Sequence, residues 1–382
     1  NWVLKVINYI NGEKNGNTNG KEYNQLGILK YEGEYLNGEK NGKGKEYYKN
    51  GKIKFEGEYI NGIRWNGKGY NYEGEERYII NNGNSNGKII EYHIDGRKKY
   101  EGEYINGKKN GKGKKYYNFG LLEFEGEYEN GLRNGKGKEY YNIGRLLFEG
   151  EYSNGLKWDG IGYDYDGEEE YEIKNGKGYI IEYDYHGFIL YEGEYSNGKR
   201  NGKGIEYDDE RKIYEGEFLN GKRNGKGMEY NGEYDKRYEG EYLNGKRNGK
   251  GKEFSYLTEK IIFEGEYKNG KKNGEGKNYN YDGKLIFDGV YLNGLKWNGK
   301  GYNDKGKLVY EIKNGDGYIK EYDFDGNLEF EYEYINGKKT GKGKEYYYKN
   351  RLIFEGEYIN GIKNGIGKEY NKYGVLIFEG KY

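Results

Sequence analysis

The chain has 382 residues, with Lys plus Arg and Asp plus Glu equal at 65 each, so no global field draws it onto nucleic acid or a membrane. Hydrophobic residues are only 33% of the total and Tyr alone supplies 51 positions, which excludes a thick aliphatic core and makes burial aromatic. Cys is absent, which excludes disulfides and thiolate metal sites and fits an intracellular protein.

Ala and Pro are also missing beside abundant Asn, Lys, Ile and Tyr, as expected of an A/T-rich coding sequence such as that of a protist or a large DNA virus. No apolar run approaches the roughly 20 residues of a membrane span, and the opening NWVLKVINYI is too short for a signal peptide. Because the chain starts at Asn1 and stops inside a repeat at FEGKY, both ends are expected to be fragment boundaries, and missing flanks could carry function.

In chain order, a degenerate copy of a repeat, NYINGEKNG, starts at Asn8. From Tyr31 the phrase YEGEYLNGEKNGKGKEYY recurs to the last residue. The aromatic that opens each copy stands at Tyr31, Phe55, Tyr78, Tyr100, Phe124, Phe148, Tyr171, Tyr191, Tyr214, Tyr238, Phe263, Phe287, Tyr310, Phe330, Phe354 and Phe378. Steps of roughly 20 to 25 residues are those of hairpin arrays and solenoids. With no linker in sight, 1–382 is expected to be a single continuous array of about sixteen hairpin units, the first and last incomplete or degenerate.

Within a unit, Tyr31, Gly33 and Tyr35 share one parity while Glu32 and Glu34 take the other, which is the period of a strand. GKGKEYY alternates likewise. Between the two, NGEKNG predicts a hairpin loop of about six residues, and a second turn such as KNGK at Lys49 to Lys52 leads to the next unit. Glycine inside every element argues against helix, where each would cost about 1 kcal/mol.

Glycine in a strand makes sense if each aromatic ring lies over a neighbouring glycine and restores the packing it lacks. On the reverse face Glu32 and Glu34 are expected near Lys43 and Lys45, as are Glu103 near Lys112 and Glu217 near Lys226. The fold class expected is all-β: an elongated array of antiparallel β-hairpins in a twisted single-layer sheet, on the order of 150 Å long at about 4.8 Å per strand.

YEGEY followed by NGKRNGKG, as at Tyr191 to Gly204 and Tyr214 to Gly227, resembles the MORN repeat over nearly the whole chain. Tyr35, Tyr59 and Tyr104 stand where that family commonly has Trp, and Asn41, Asn110 and Asn201 where it commonly has His. The resemblance implies a scaffold, spacer or dimerisation module, often near membranes, with phosphoinositide binding proposed for some members and any catalysis residing in attached domains.

Three units, NGIRWNGKGY, NGLKWDGIGY and NGLKWNGKGY, carry Trp65, Trp158 and Trp297. After the last two come YEIKNGKGY and YEIKNGDGY, with the two-residue turns Asn175-Gly176 and Asn314-Gly315, as if whole blocks had been duplicated. The Trp side chains are candidate anchors for a protein partner; the structural alternative is that each fills the space left by a shortened neighbour.

A second candidate is a basic rim formed by Lys199, Arg200, Lys203, Lys222, Arg223, Lys226, Lys246, Arg247 and Lys250, which would meet anionic lipid. Its alternative is a solvated edge that deters further strand pairing. A third is the Tyr-rich face, as a platform for a peptide or a carbohydrate chain or simply as packing over glycine.

Chemistry is poorly represented. His93 and His186, the only histidines, fall beside expected turns with no nucleophile motif. GKRNGKG at Gly221 to Gly227 lacks the continuation of a phosphate loop, and DYDG at Asp164 and DFDG at Asp323 lack the rest of a calcium loop. The expectation is a non-catalytic scaffold with a protein partner or a second copy of itself, without cofactor, metal or nucleic acid. Peripheral binding to anionic phospholipid and carbohydrate binding are the alternatives, and the location is cytoplasmic or peripheral to a membrane.

Overall fold

The computed structural model of the chain describes residues 4–7, 18–85, 88–232, 235–323, 326–348 and 350–382, so the copy expected from Asn8 lies largely outside the described residues. Its regular elements are strands, paired antiparallel in chain order and not closed into a barrel. Two compact units result, Asn1–Lys199 and Arg200–Tyr382. In the first, eight strands run from Leu4–Ile7 to Asn84–Ser85 and eight more from Ile89–Tyr92 to Glu169–Ile173, followed by the pair Gly178–Tyr183 and Ile189–Ser196. In the second, the strands keep the same order up to Leu376–Lys381.

The hairpin turn is shorter than the sequence suggested. Leu36 pairs with Glu39, leaving only Asn37 (φ 51°) and Gly38 (φ 83°) to turn the chain. Positive φ at both positions is the type I′ turn whose twist matches that of the flanking strands. NGEKNG is therefore not a six-residue loop, since Glu39–Tyr47 is already strand. The second Asn-Gly step instead meets a slip of register between Gly33 and Tyr35, where Asn41, Gly42 (φ 93°) and Lys43 stand opposite Glu34 alone. Glu34 folds its carboxylate over Gly42, and in a later copy the equivalent Glu333 accepts a hydrogen bond from the Lys342 backbone N–H at 2.9 Å.

That bulge also corrects the expected charge pairs. Glu32 does face Lys45, but Glu103 faces Asn110, while Lys112 faces Glu127 of the next unit. Likewise Glu217 faces Lys203 and Lys226 faces Glu241. The outer-face pairs thus also tie one hairpin to the next, as Lys114 does with Glu125 at 2.9 Å.

The aromatic core is where the sequence placed it. Phe124 is fully buried, and its ring tip rests on two glycines paired in register, Gly126 and Gly137. A Cβ added to either would come within 2.7 and 2.6 Å of Phe124 Cζ. Edge-on contacts to Tyr128 and Tyr152, each with ring centroids 5.4 Å apart, extend the packing within and between hairpins. Five openers depart from this: Tyr78, Tyr171 and Tyr310 lie instead on Gly69, Gly162 and Gly301 of the preceding strand, Phe330 is only half-buried where Tyr332 replaces the usual glycine, and Phe378 in the last strand is 39% exposed.

Candidate interaction surfaces

Two-residue turns fix the parity of everything that follows them. The residue two places after each turn, Lys or Arg, and the Glu six further on both project onto the aromatic face. In the second unit they form an unbroken ladder: Arg223 Nε to Glu206 at 2.6 Å, Arg247 to Glu229 at 2.5 Å and to Glu253 at 3.0 Å, and Lys272 to Glu253 at 2.9 Å. Each cation also covers an opening ring, with Arg223 4.2 Å from the Tyr214 centroid, Arg247 4.0 Å from Tyr238 and Lys272 3.8 Å from Phe263. Tyr242 completes the site by donating to Glu229 at 2.8 Å.

The first unit repeats the ladder with Arg133, Glu139 and Lys157. Burial on its own would raise the Glu139 carboxyl, yet Lys157 and Arg133 outweigh it and hold the group at about 2. The acid stays ionised because two cations are fixed beside it.

The nine residues of the expected basic rim consequently separate into three rows. Arg200, Arg223 and Arg247 are not on a rim at all; they lie on the aromatic face, Arg200 and Arg223 both paired with Glu206 and Arg247 with Glu229 and Glu253. Lys203, Lys226 and Lys250 stand in mid-strand opposite Glu217, Glu241 and Glu266. Only Lys199, Lys222 and Lys246 flank the turns, where they are exposed. The alternation of a strand that begins immediately after the turn is what divides them.

Trp65, Trp158 and Trp297 are half-buried, each against a short turn. Cβ atoms added at Gly83, Gly176 and Gly315 would lie 2.7, 2.9 and 2.6 Å from the three Cζ3 atoms. The same glycines donate their N–H to the Trp carbonyls at 2.8, 2.7 and 2.7 Å. In the hairpins that follow, Ile80, Ile173 and Ile312 occupy the opening strand's glycine position and are at most 3% exposed.

On the opposite edge, two of these blocks bring together turns that are not neighbours. Lys49 N–H donates to the Ile94 carbonyl and Asn142 N–H to the Tyr185 carbonyl, both at 3.1 Å, each passing over an intervening turn. Beneath them lie Tyr48 with Tyr72 and Tyr92, and Tyr141 with Tyr165 and Tyr183. No local pattern signals this contact or Lys54, whose ammonium donates to the Tyr92 carbonyl at 2.7 Å and is lowered to about 8 by burial and by Arg64.

His93 and His186 both lie in connecting turns, and His186 Nδ1 is 2.9 Å from Asn142 Nδ2. Asp164 accepts from the N–H groups of Gly167 and Glu168 at 2.7 and 2.9 Å, so DYDG is a turn closed on itself. Among the described residues no cluster of His, Cys, Asp and Glu could hold a metal ion.

Comparison with curated proteins finds no match. Among solved structures, "Crystal Structure of TcdB2-TccC3" is 10% identical with a TM-score of 0.15, over 95% of this chain and 19% of that one. "Structure of Photorhabdus luminescens Tc holotoxin pore, Mutation TccC3-D651A" is 11% identical with a TM-score of 0.15, over 96% of this chain and 17% of that one. The chain thus spans less than a fifth of either, and overlaps this loose carry no argument. The MORN repeat model, by contrast, matches residues 31–53, 100–118, 124–144, 191–209, 214–234, 238–255, 263–283, 333–350 and 354–372. The three longest gaps between matches hold the Trp residues and their short hairpins. With the repeated phrase, the Asn-Gly hairpins and nine separate matches in agreement, the chain belongs to the MORN-repeat family.

Proposed function

We propose that this chain is a non-catalytic scaffold or spacer that holds protein partners, a second copy of itself included, at intervals set by its repeat. MORN repeats in general serve interactions with proteins or membrane lipids. One observation supports the protein reading above all: the opening rings rest on glycine and are covered by cations, and those cations are paired in turn. What recurs and faces outward is therefore the turn edges and the paired outer Lys and Glu rows. Carbohydrate stacking needs open ring faces, which fully buried openers such as Phe124 and Tyr238 do not offer.

Size-exclusion chromatography with light scattering, together with affinity purification from the native source, tests the scaffold. A strictly monomeric chain that co-purifies with nothing overturns it. Lipid binding is the second reading, favoured by Leu219 and Leu243, about half exposed at 49% and 50% and paired across the turns with Lys222 and Lys246. Equal recovery on vesicles with and without acidic lipid removes that reading.

A further inference from the structure

Among the described residues, the turns that join the two strands within a unit, such as Asn37-Gly38, Asn244-Gly245 and Asn269-Gly270, are Asn-Gly steps, the dipeptide most prone to lose its side-chain amide, because glycine leaves its peptide nitrogen unhindered. The reaction is intramolecular. At Asn269-Gly270 the Gly270 nitrogen would give its proton to solvent base and bond to Asn269 Cγ. The Cγ–Nδ2 bond would break and ammonia leave, after which water opens the succinimide to aspartate or isoaspartate. Either product adds a negative charge, and isoaspartate also lengthens the backbone inside a turn that has only two residues to spare.

The fold engages the attacking atom. Gly270 N–H donates to the Arg247 carbonyl of the preceding hairpin at 2.8 Å, and the same bond recurs from Gly62 to the Lys40 carbonyl, Gly245 to Arg223 and Gly294 to Lys272, each at 2.8 Å. A second bond holds the Asn. The Asn269 N–H donates to Asn248 Oδ1 at 3.3 Å, Asn244 to Asn224 at 3.2 Å and Asn293 to Asn273 at 3.0 Å. Both bonds come from the neighbouring hairpin, and both hold a turn whose Asn269 sits at φ 52°.

We propose that the Asn-Gly turns are latent deamidation sites, closed while the preceding hairpin is docked and opened when it leaves. The cap requires an oxygen rather than an amide. Asp159 accepts from Asn175 N–H at 2.7 Å, Asp316 from Asn336 at 2.8 Å, and Thr340 Oγ1 from Asn360 at 3.3 Å. The second Asn-Gly step of a regular unit, or the Asp-Gly or Thr-Gly step that replaces it, thus supplies the acceptor that guards the next turn.

The full chain is incubated at mildly alkaline pH, natively and in urea, and isoaspartate is mapped peptide by peptide by mass spectrometry. Turn sites should react at least about tenfold more slowly in the native chain, since reaction there waits on local opening. Asn248→Ala should raise the rate at Asn269 several-fold and leave Asn220, in the same molecule, unchanged. Asn248→Asp, which keeps the oxygen, should leave both unchanged. Equal rates in native and unfolded chains, or the same rise at Asn269 in both variants, overturns the proposal.

Discussion

The unit opened by Phe124 and the short hairpin opened by Tyr171 fill the same space in different ways. In the first, the ring rests on the paired glycines Gly126 and Gly137. In the second, Ile173 and Ile180 stand at those two positions, 1% and 2% exposed, and the Tyr171 ring turns the other way, onto Gly162 of the preceding strand. Trp158 then covers the turn that the shorter strands have drawn back. Glycine at 137 is therefore demanded by the ring that lies on it, and at 126 also by the paired strand, whose Gly137 Cα and Lys136 carbonyl would both lie 2.6 Å from an added Cβ. Where aliphatic side chains fill the space instead, the ladder thins: Glu169–Ile173 and Gly178–Tyr183 belong to different sheets, and the isolated bridge of Lys174 to Lys177 closes the turn between them.

This contrast can be broken or sharpened by substitution, read by hydrogen exchange along the array because repeat proteins unfold in segments. Phe124→Ala should have the largest effect, about 3–5 kcal/mol, by removing a fully buried ring. Ile180→Gly should cost about 2–4 kcal/mol, since no ring is aimed at that position to cover the new glycine. An Ile180→Gly chain as stable as wild type would show that the blocks tolerate the regular pattern.

The ion ladder predicts an acid limb. Glu139 is held at about 2 against an ordinary 4.5, so the folded state binds its proton less readily than the unfolded state does. Its contribution is complete above about pH 4.5, is lost as pH falls toward 2, and amounts to at most about 3 kcal/mol. Protection of Leu132–Tyr140 should fall over that window, and Glu139→Gln should flatten the dependence while lowering stability at neutral pH.

Gly137→Ala should cost about 1–3 kcal/mol, because its methyl would press on the Phe124 ring tip. Last comes Lys114→Ala on the outer face, where both partners of the 2.9 Å pair with Glu125 are substantially exposed; the change should stay within about 0.5 kcal/mol and vanish at high salt.

Much of the architecture was legible because it is written locally. Alternating parity in YEGEY, glycine on the aromatic side and the Asn-Gly turns each follow from a few adjacent residues. The loop length was misjudged because Asn41-Gly42 has the same composition as a turn, although its glycine serves a bulge. The rim was misjudged for a related reason: a loop of two residues rather than six changes which of Lys222, Arg223 and Lys226 lie on the same face.

The amino-acid sequence by itself determined the repeat, the strands and the ring-on-glycine core, since a period of two and a two-residue turn need no distant partner. Only the tertiary structure decided which Glu meets which Lys, that Arg200, Arg223 and Arg247 cover rings, that Tyr171 reverses, and that Asn142 reaches Tyr185 across an intervening turn. Those outcomes depend on register slips and on side-chain volume in neighbouring hairpins, which no single repeat contains.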